Sequence, residues 1–281
     1  MKHHIYKIII FILVLFMSCT DVVDVDVPEA APRLVVEASI DWEKGTQGNT
    51  QFIELSMSTP FFENLNNTTV AGASVKITNN VSNEEFIFTD QGEGIYATSS
   101  FIPILNQSYT LEINYQGDTY IAEETMTPVV DIDEISQATV GGFNDDALEV
   151  DIYFNDPPNE ENFYLFRFEE EGDLLPELLA IPDEFTDGNM MKVFFEKEDD
   201  EDTGQEEFQP GDIAHIKFHG ISKQYFNYID LLIDQYENAQ NPFGTVPATL
   251  KGNVVNPSNP NNYAFGYFRL VQVIEATYVF Q

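Results

Sequence analysis

The chain has 281 residues, 48 of them acidic and 12 basic, for a formal charge of −36 at neutral pH. A surface this acidic repels nucleic-acid phosphates and anionic headgroups, which excludes nucleic-acid binding and attachment to a membrane through a basic patch. Hydrophobic residues make up 43% and aromatics 13%, enough to bury a core, and the length fits two domains or one large β domain.

Residues 1–19 read MKHHIYKIIIFILVLFMSC. Lys2 and Lys7 make a basic start, Ile8 begins an apolar run that ends at Met17, and Ser18 is a small residue before Cys19. That is the pattern of a secretory signal, and its apolar run is shorter than the ~20 residues a spanning helix needs. Cys19 is also the only cysteine. Its place directly after the small residue reads as a bacterial lipoprotein signal, cut before Cys19 and lipidated on it, with palmitate among the acyl groups. Phe16 stands where leucine is usual. An ordinary signal peptide, with Cys19 incidental, is the alternative. The leader holds two lysines and no acid, so its loss takes the charge from −36 to −38. With Cys19 acylated, no thiol remains for a disulfide or a cysteine metal site.

Residues 19–32 carry acids and two prolines but no aromatic residue, as expected of an extended, lipidated tether. From Arg33 the pattern changes. Leu34, Val36, Ala38 and Ile40 alternate with Val35, Glu37 and Ser39, the period of a strand. Similar runs follow at 50–59, 73–78, 85–89, 95–99, 108–115 and 119–125. Gly92-Glu93-Gly94 and Gln116-Gly117-Asp118 are turns between them. Seven short, evenly spaced strands predict an Ig-like β-sandwich over 33–128. A second β-rich domain is expected over 143–281, with strands at 148–154, 163–168, 190–196 and 212–219. The 163–168 strand is apolar on both faces and should be central.

One helix is expected near 222–238. Ser222 can cap it, and Tyr225, Ile229, Leu232, Ile233 and Tyr236 fall at helical spacing. Its apolar stripe should pack on the second sheet, with a partner-binding groove as the alternative. Residues 263–280 read as one or two long strands. The segment 241–268 before and into them reads as an ordered loop pinned by Phe243. Its rim, 255–262, is expected to be exposed, so replacing Asn256, Ser258 and Asn259 by alanine should leave folding intact.

Few motifs carry chemistry. Gly92 to Ala97 fits the letters of a dinucleotide fingerprint, but no helix follows. His215 and His219 share a strand face with Lys217 between them, so that face is expected to be solvated and not to hold zinc. The acidic run 196–202, from Glu196 to Asp202, is expected to be a solvated loop. Calcium is its alternative, although the EF-hand spacing fails at Thr203 and Gln209. No nucleophile elbow, P-loop or zinc-protease motif is present, so no catalytic, cofactor or metal residue is nominated and no enzyme is expected.

The ends of the folded region carry a resemblance. Arg33-Leu34-Val35-Val36-Glu37-Ala38, Ile53-Glu54-Leu55-Ser56, Val70-Ala71-Gly72-Ala73-Ser74-Val75 and Gly94-Ile95-Tyr96 stand near the start. Asn241-Pro242-Phe243-Gly244, Gly252-Asn253-Val254 and Phe265-Gly266-Tyr267-Phe268 stand near the end. In order and spacing they resemble the bacterial lipoprotein family known as domain of unknown function 4249, over nearly all of 19–281. The strand and turn motifs also resemble transthyretin-like domains. The family resemblance implies an outer-membrane lipoprotein, lipid-anchored on the periplasmic or cell-surface face, often encoded beside TonB-dependent transporters. The expected function is therefore a non-enzymatic accessory or binding component that helps such a transporter capture nutrients. Its ligand would be a small molecule or peptide. A structural or adhesive envelope protein is one alternative, and a hydrolase with an unrecognised site is another.

Overall fold

Leu34, Val36, Ala38 and Ile40 are buried while Glu37 and Ser39 between them are exposed, so the expected alternation becomes strand β1 (Leu34–Glu43). A computed structural model describes residues 31–59, 68–144, 147–173, 175–197, 199, 206–238 and 249–281. Cys19, almost all of the expected tether, and Phe243 with the first part of its expected loop, 241–248, lie outside the described residues.

Six more strands follow β1: β2 (Gln51–Met57), β3 (Ser74–Asn79), β4 (Glu85–Gly92), β5 (Ile95–Thr98), β6 (Ser108–Tyr115) and β7 (Asp118–Thr125). One layer runs β1-β2-β5 and the other β4-β3-β6-β7. Strand β4 joins the two, pairing Phe86 and Phe88 with β3, then Thr89 and Asp90 with β5. The tight turns stand where glycine permits positive φ. Glu93 and Gly94 have φ of 51° and 77°, and Gln116 and Gly117 have 50° and 88°. The fold is mainly β, and this half is the Ig-like sandwich expected from the strand spacing.

The second half contains β8 (Ile132–Ala138), β9 (Glu149–Asn155), β10 (Phe163–Glu170), β11 (Glu177–Pro182), β12 (Met190–Glu196), β13 (Ile213–Ile221), α1 (Lys223–Glu237) and β14 (Phe265–Val279). Strands β8 and β11 carry weak alternation and escaped the sequence reading. With them in place, one layer runs β8-β9-β12 and the other β11-β10-β13-β14. Strand for strand, that is the order of the first half, seven positions later. The chain is therefore a tandem of two seven-stranded sandwiches, with α1 inserted before the last strand. Strand β10 has partners on both sides, as its two apolar faces require.

Each half has its own core. Val36, Leu55, Tyr96 and Leu111 anchor the first, and Phe154, Phe166, Phe168 and Phe218 the second. Strand β14 belongs to both. Its first half pairs with β1 in parallel, from Val35↔Phe265 to Glu43↔Val273, and its second half pairs with β13 antiparallel. The connection between the halves is laid along the same strand: Thr127 N–H donates to Leu270 O and Gln272 N–H to Thr127 O. Lys44 of the first half pairs with Asp131 of that connection at 2.6 Å. Pro32–Gln281 accordingly forms one compact unit, not two beads on a flexible link.

Two close approaches need glycine. Gly266 has φ +85°, and a Cβ there would lie 2.1 Å from Val36 O. At Gly220 a Cβ would lie 1.8 Å from Pro128 O, where the connection crosses β13.

Candidate functional site

Helix α1 starts where the sequence placed it. Ser222 is the N-cap, with its Oγ accepting from Tyr225 N–H at 3.1 Å, and Asn238 closes the other end. The buried stripe is short, only Tyr225 and Ile229, and it covers the outward face of β10, β13 and β14. Leu231, Leu232 and Tyr236 are exposed.

A helix N-terminus carries partial positive charge, and the first turn of α1 has no acidic residue of its own. The acid comes from the other sandwich. Ser222 Oγ–H donates to Glu124 Oε2 of β7 at 3.0 Å, and Tyr267 O–H donates to the same oxygen at 3.3 Å. Thr125 N–H holds Oε1 at 2.9 Å. Burial raises the Glu124 carboxyl above its usual range, and these donors pull it back in part. The helix is thus tied to both halves of the molecule.

Next to it lies a charged cluster. Arg269 of β14 meets Asp41 of β1 at 2.9 Å and places its guanidinium 5.3 Å from the centre of the Tyr225 ring. The parallel register brings these strands together, with Ser39 opposite Arg269 and Asp41 opposite Val271. His219 of β13 is 2% exposed. Its Nδ1 lies 3.1 Å from Leu165 O, a carbonyl that can only accept, so Nδ1 carries the proton. Its Nε2 faces Asp41 at 3.9 Å. Burial first, then the Arg269 charge, lowers the His219 pKa to about 4, so the ring is neutral at pH 7. Asp41 Oδ1 and Arg269 Nε have no hydrogen-bond partner among the described residues. Polar groups left open at one buried place are an acceptor and a donor for a bridging water or a small polar group.

This corrects the sequence reading of the histidines. His215 and His219 do share a face, and His215 is exposed beside the Lys217–Glu275 pair in an open cleft of about 320 Å³. The face is not solvated throughout, because His219 is buried against Leu165 O, Asp41 and Arg269. The acidic run 196–202 is corrected at its start. Glu196 is buried and accepts from Phe143 N–H at 2.7 Å and Asn144 N–H at 3.0 Å. Lys197 is buried between Glu170 and Asp173, at 2.6 and 2.8 Å. Backbone donors and paired charges make that burial tolerable. Apart from Asp199, the rest of the run lies outside the described residues. The rim 255–262 is exposed at 255 and 257–261, as expected, and is corrected only at Asn256. Asn256 is 1% exposed, donates to Asp118 at 3.0 Å and accepts from Ser258 N–H and Asn259 N–H.

One further group could contact a cation. Asp156, Asp183 and Asp187 converge at the end of the second sandwich, with ligand atoms within 4.8 Å of one another. Tyr164 O–H and Gly188 N–H already hold Asp156, while Asn162 N–H holds Asp183 and Asn159 N–H holds Asp187. Calcium takes about 6–8 oxygens, more than three carboxylates already engaged by backbone donors readily supply. An open cleft of about 430 Å³, where β4 passes from β3 to β5, is lined by Thr50, Ile87, Thr89, Gln91, Ala97 and residues 98–100, none of them ionisable.

Sequence reasoning did not find the Glu124, Asp41 and Arg269 cluster. Its one visible signal was a single arginine in the apolar run of β14, whose partner depends on a register the sequence does not display.

Several solved structures match at low similarity. The FN1-FN3 domains of chicken CNTN1 match with 12% identity and a TM-score of 0.26, over 69% of this chain and 62% of that one. The match thus spans less than two thirds of that fragment. A two-domain fibronectin type-III segment of chicken tenascin matches with 11% identity and a TM-score of 0.21, over 67% of this chain and 90% of that one. A DUF4785 family protein from Legionella pneumophila matches with 10% identity and a TM-score of 0.26, over 67% of this chain and 51% of that one. No curated protein matches. The family model described as Domain of unknown function (DUF4249) matches residues 20–276, and the chain belongs to that family.

Proposed function

We propose that the protein is an outer-membrane lipoprotein, anchored through acylated Cys19, that serves as a non-enzymatic accessory or binding component of a TonB-dependent transporter in nutrient capture. The observation that carries this reading is the order of parts in the sequence. A basic, apolar leader ends in a small residue and the only cysteine, an acidic tether follows, and the folded unit begins at Pro32. The tandem of sandwiches locked by β14 supports it, because a rigid unit on a tether can hold a binding surface at a fixed geometry. Acyl chains, not surface charge, supply the membrane attachment of so acidic a chain.

Labelled palmitate tests the anchor. The wild-type protein should take up the label and sediment with outer membranes, and Cys19→Ser should do neither. Acylation of the serine variant would refute the anchor. The partnership is tested by purifying a tagged chain from solubilised outer membranes. Recovery without any TonB-dependent transporter would refute that part alone.

A further inference from the structure

Ten lysines and arginines lie in residues 33–281 of this highly acidic chain. Eight of them meet a carboxylate within 4.0 Å. With 48 acids available, an unpaired cation is the unusual case. Among the described residues the two exceptions are Arg33 and Lys251, and they sit on the same ring. The Arg33 guanidinium carbon lies 4.1 Å from the centre of Tyr263, and the Lys251 ammonium lies 4.4 Å from it. The two charges are therefore no further apart than the sum of those distances.

The arrangement is held in place. Arg33 donates from one terminal nitrogen to Asn261 O at 2.7 Å and to Tyr263 O at 3.3 Å, and its backbone N–H is fixed by Ser58 Oγ at 2.9 Å. The other guanidinium donors have no partner among the described residues. Lys251 is exposed, and none of its ammonium donors is used there. Asp118, a carboxylate of the same end of the sandwich, already accepts from Asn256 and Asn262, both at 3.0 Å. Cation–π contact accounts for where the charges rest, but it leaves their hydrogen-bond donors free.

We propose that Arg33, Lys251 and Tyr263 form a site for a phosphate-type oxyanion at the end of the first sandwich, where β1 begins. An arginine fork matches the flat pair of acceptor oxygens on such a group, and a lysine adds a point charge from another side. The net negative charge of the chain does not forbid this. At physiological salt, charges beyond about 8 Å are largely screened, so the local pair dominates the field that a bound oxyanion feels. Free phosphate and a lipid phosphomonoester offer the same chemistry.

The full chain in detergent is titrated calorimetrically with inorganic phosphate, and in parallel the detergent-free Cys19→Ser chain, which lacks the proposed anchor, is floated with phosphatidylcholine vesicles with and without phosphatidic acid. Lys251→Gln removes an exposed group that makes no hydrogen bond among the described residues, so folding is unaffected and binding should weaken about tenfold. Arg33→Gln with Lys251→Gln should abolish binding, while Lys217→Gln, which removes a lysine already paired with Glu275, should not change it. Phosphate binding that depends on both cations supports the site. Flotation with phosphatidic acid that depends on the same two residues assigns it to a lipid, and phosphate binding without flotation assigns it to a soluble anion. No binding of either probe, or binding that survives Lys251→Gln and the double substitution, overturns the proposal.

Discussion

Mild acid should destabilise this protein through His219. The histidine is buried and neutral, and its folded pKa of about 4 lies below the ordinary value of 6.5. Between those values the unfolded chain binds a proton that the folded chain refuses, so stability rises with pH across the window. The contribution is complete above 6.5 and is lost as pH falls toward 4. It amounts to a loss of about 2 kcal/mol at pH 5 and about 3 kcal/mol at pH 4. The groups around the ring are Asp41 on β1, Arg269 on β14, the Leu165 carbonyl on β10 and Lys217 on its own strand, and Tyr225 of α1 faces the same Asp41 and Arg269. Glu37, Glu124, Glu149 and Glu177 have raised pKa values and act in the opposite direction as acid is added. The test is therefore a difference. Urea unfolding is measured at pH 7 and pH 5 for the wild type and for His219→Gln, whose amide can still donate to Leu165 O. The carboxylates cancel in the comparison, and the wild type should lose about 2 kcal/mol more than the variant. Equal losses in the two proteins would refute the assignment of a buried, neutral ring.

Other substitutions probe the junction. Ser222→Ala removes the N-cap and the donor to Glu124, and should cost about 1 kcal/mol, with faster hydrogen exchange at the Tyr225 amide. An unchanged exchange rate there would show that the cap is not what holds the first turn. Gly266→Ala places a Cβ against Val36 O at a positive φ, and should cost at least about 3 kcal/mol in urea unfolding. A wild-type midpoint would mean that β1 and β14 are not paired in this register. Asn256→Ala removes the acceptor of two backbone N–H groups and one of the two donors to Asp118, and should cost about 2–3 kcal/mol. A thermal melt within a degree of wild type would contradict its burial.

The sequence by itself determined the local structure. Alternation in β1, β2, β6 and β7 marked strands because one face of each is buried, and the Gly92–Gly94 and Gln116–Gly117 turns were legible because positive φ needs particular residues. Helix α1 was legible from its cap and its spacing. Strands β8 and β11 were not, since their residues are mostly half-buried and the alternation is weak. Only the tertiary structure decided which strands pair. The repeat of one strand order in both halves emerges from topology, and the parallel union of β1 with β14 joins residues more than two hundred positions apart. That register sets Arg269 against Asp41 beside His219, so a histidine that reads as solvated becomes buried. The same long-range folding brings Arg33 and Lys251 onto Tyr263. Charge content is written in composition, but which charges are left without a partner is a property of packing, because a pair forms only where two backbones bring the side chains within reach.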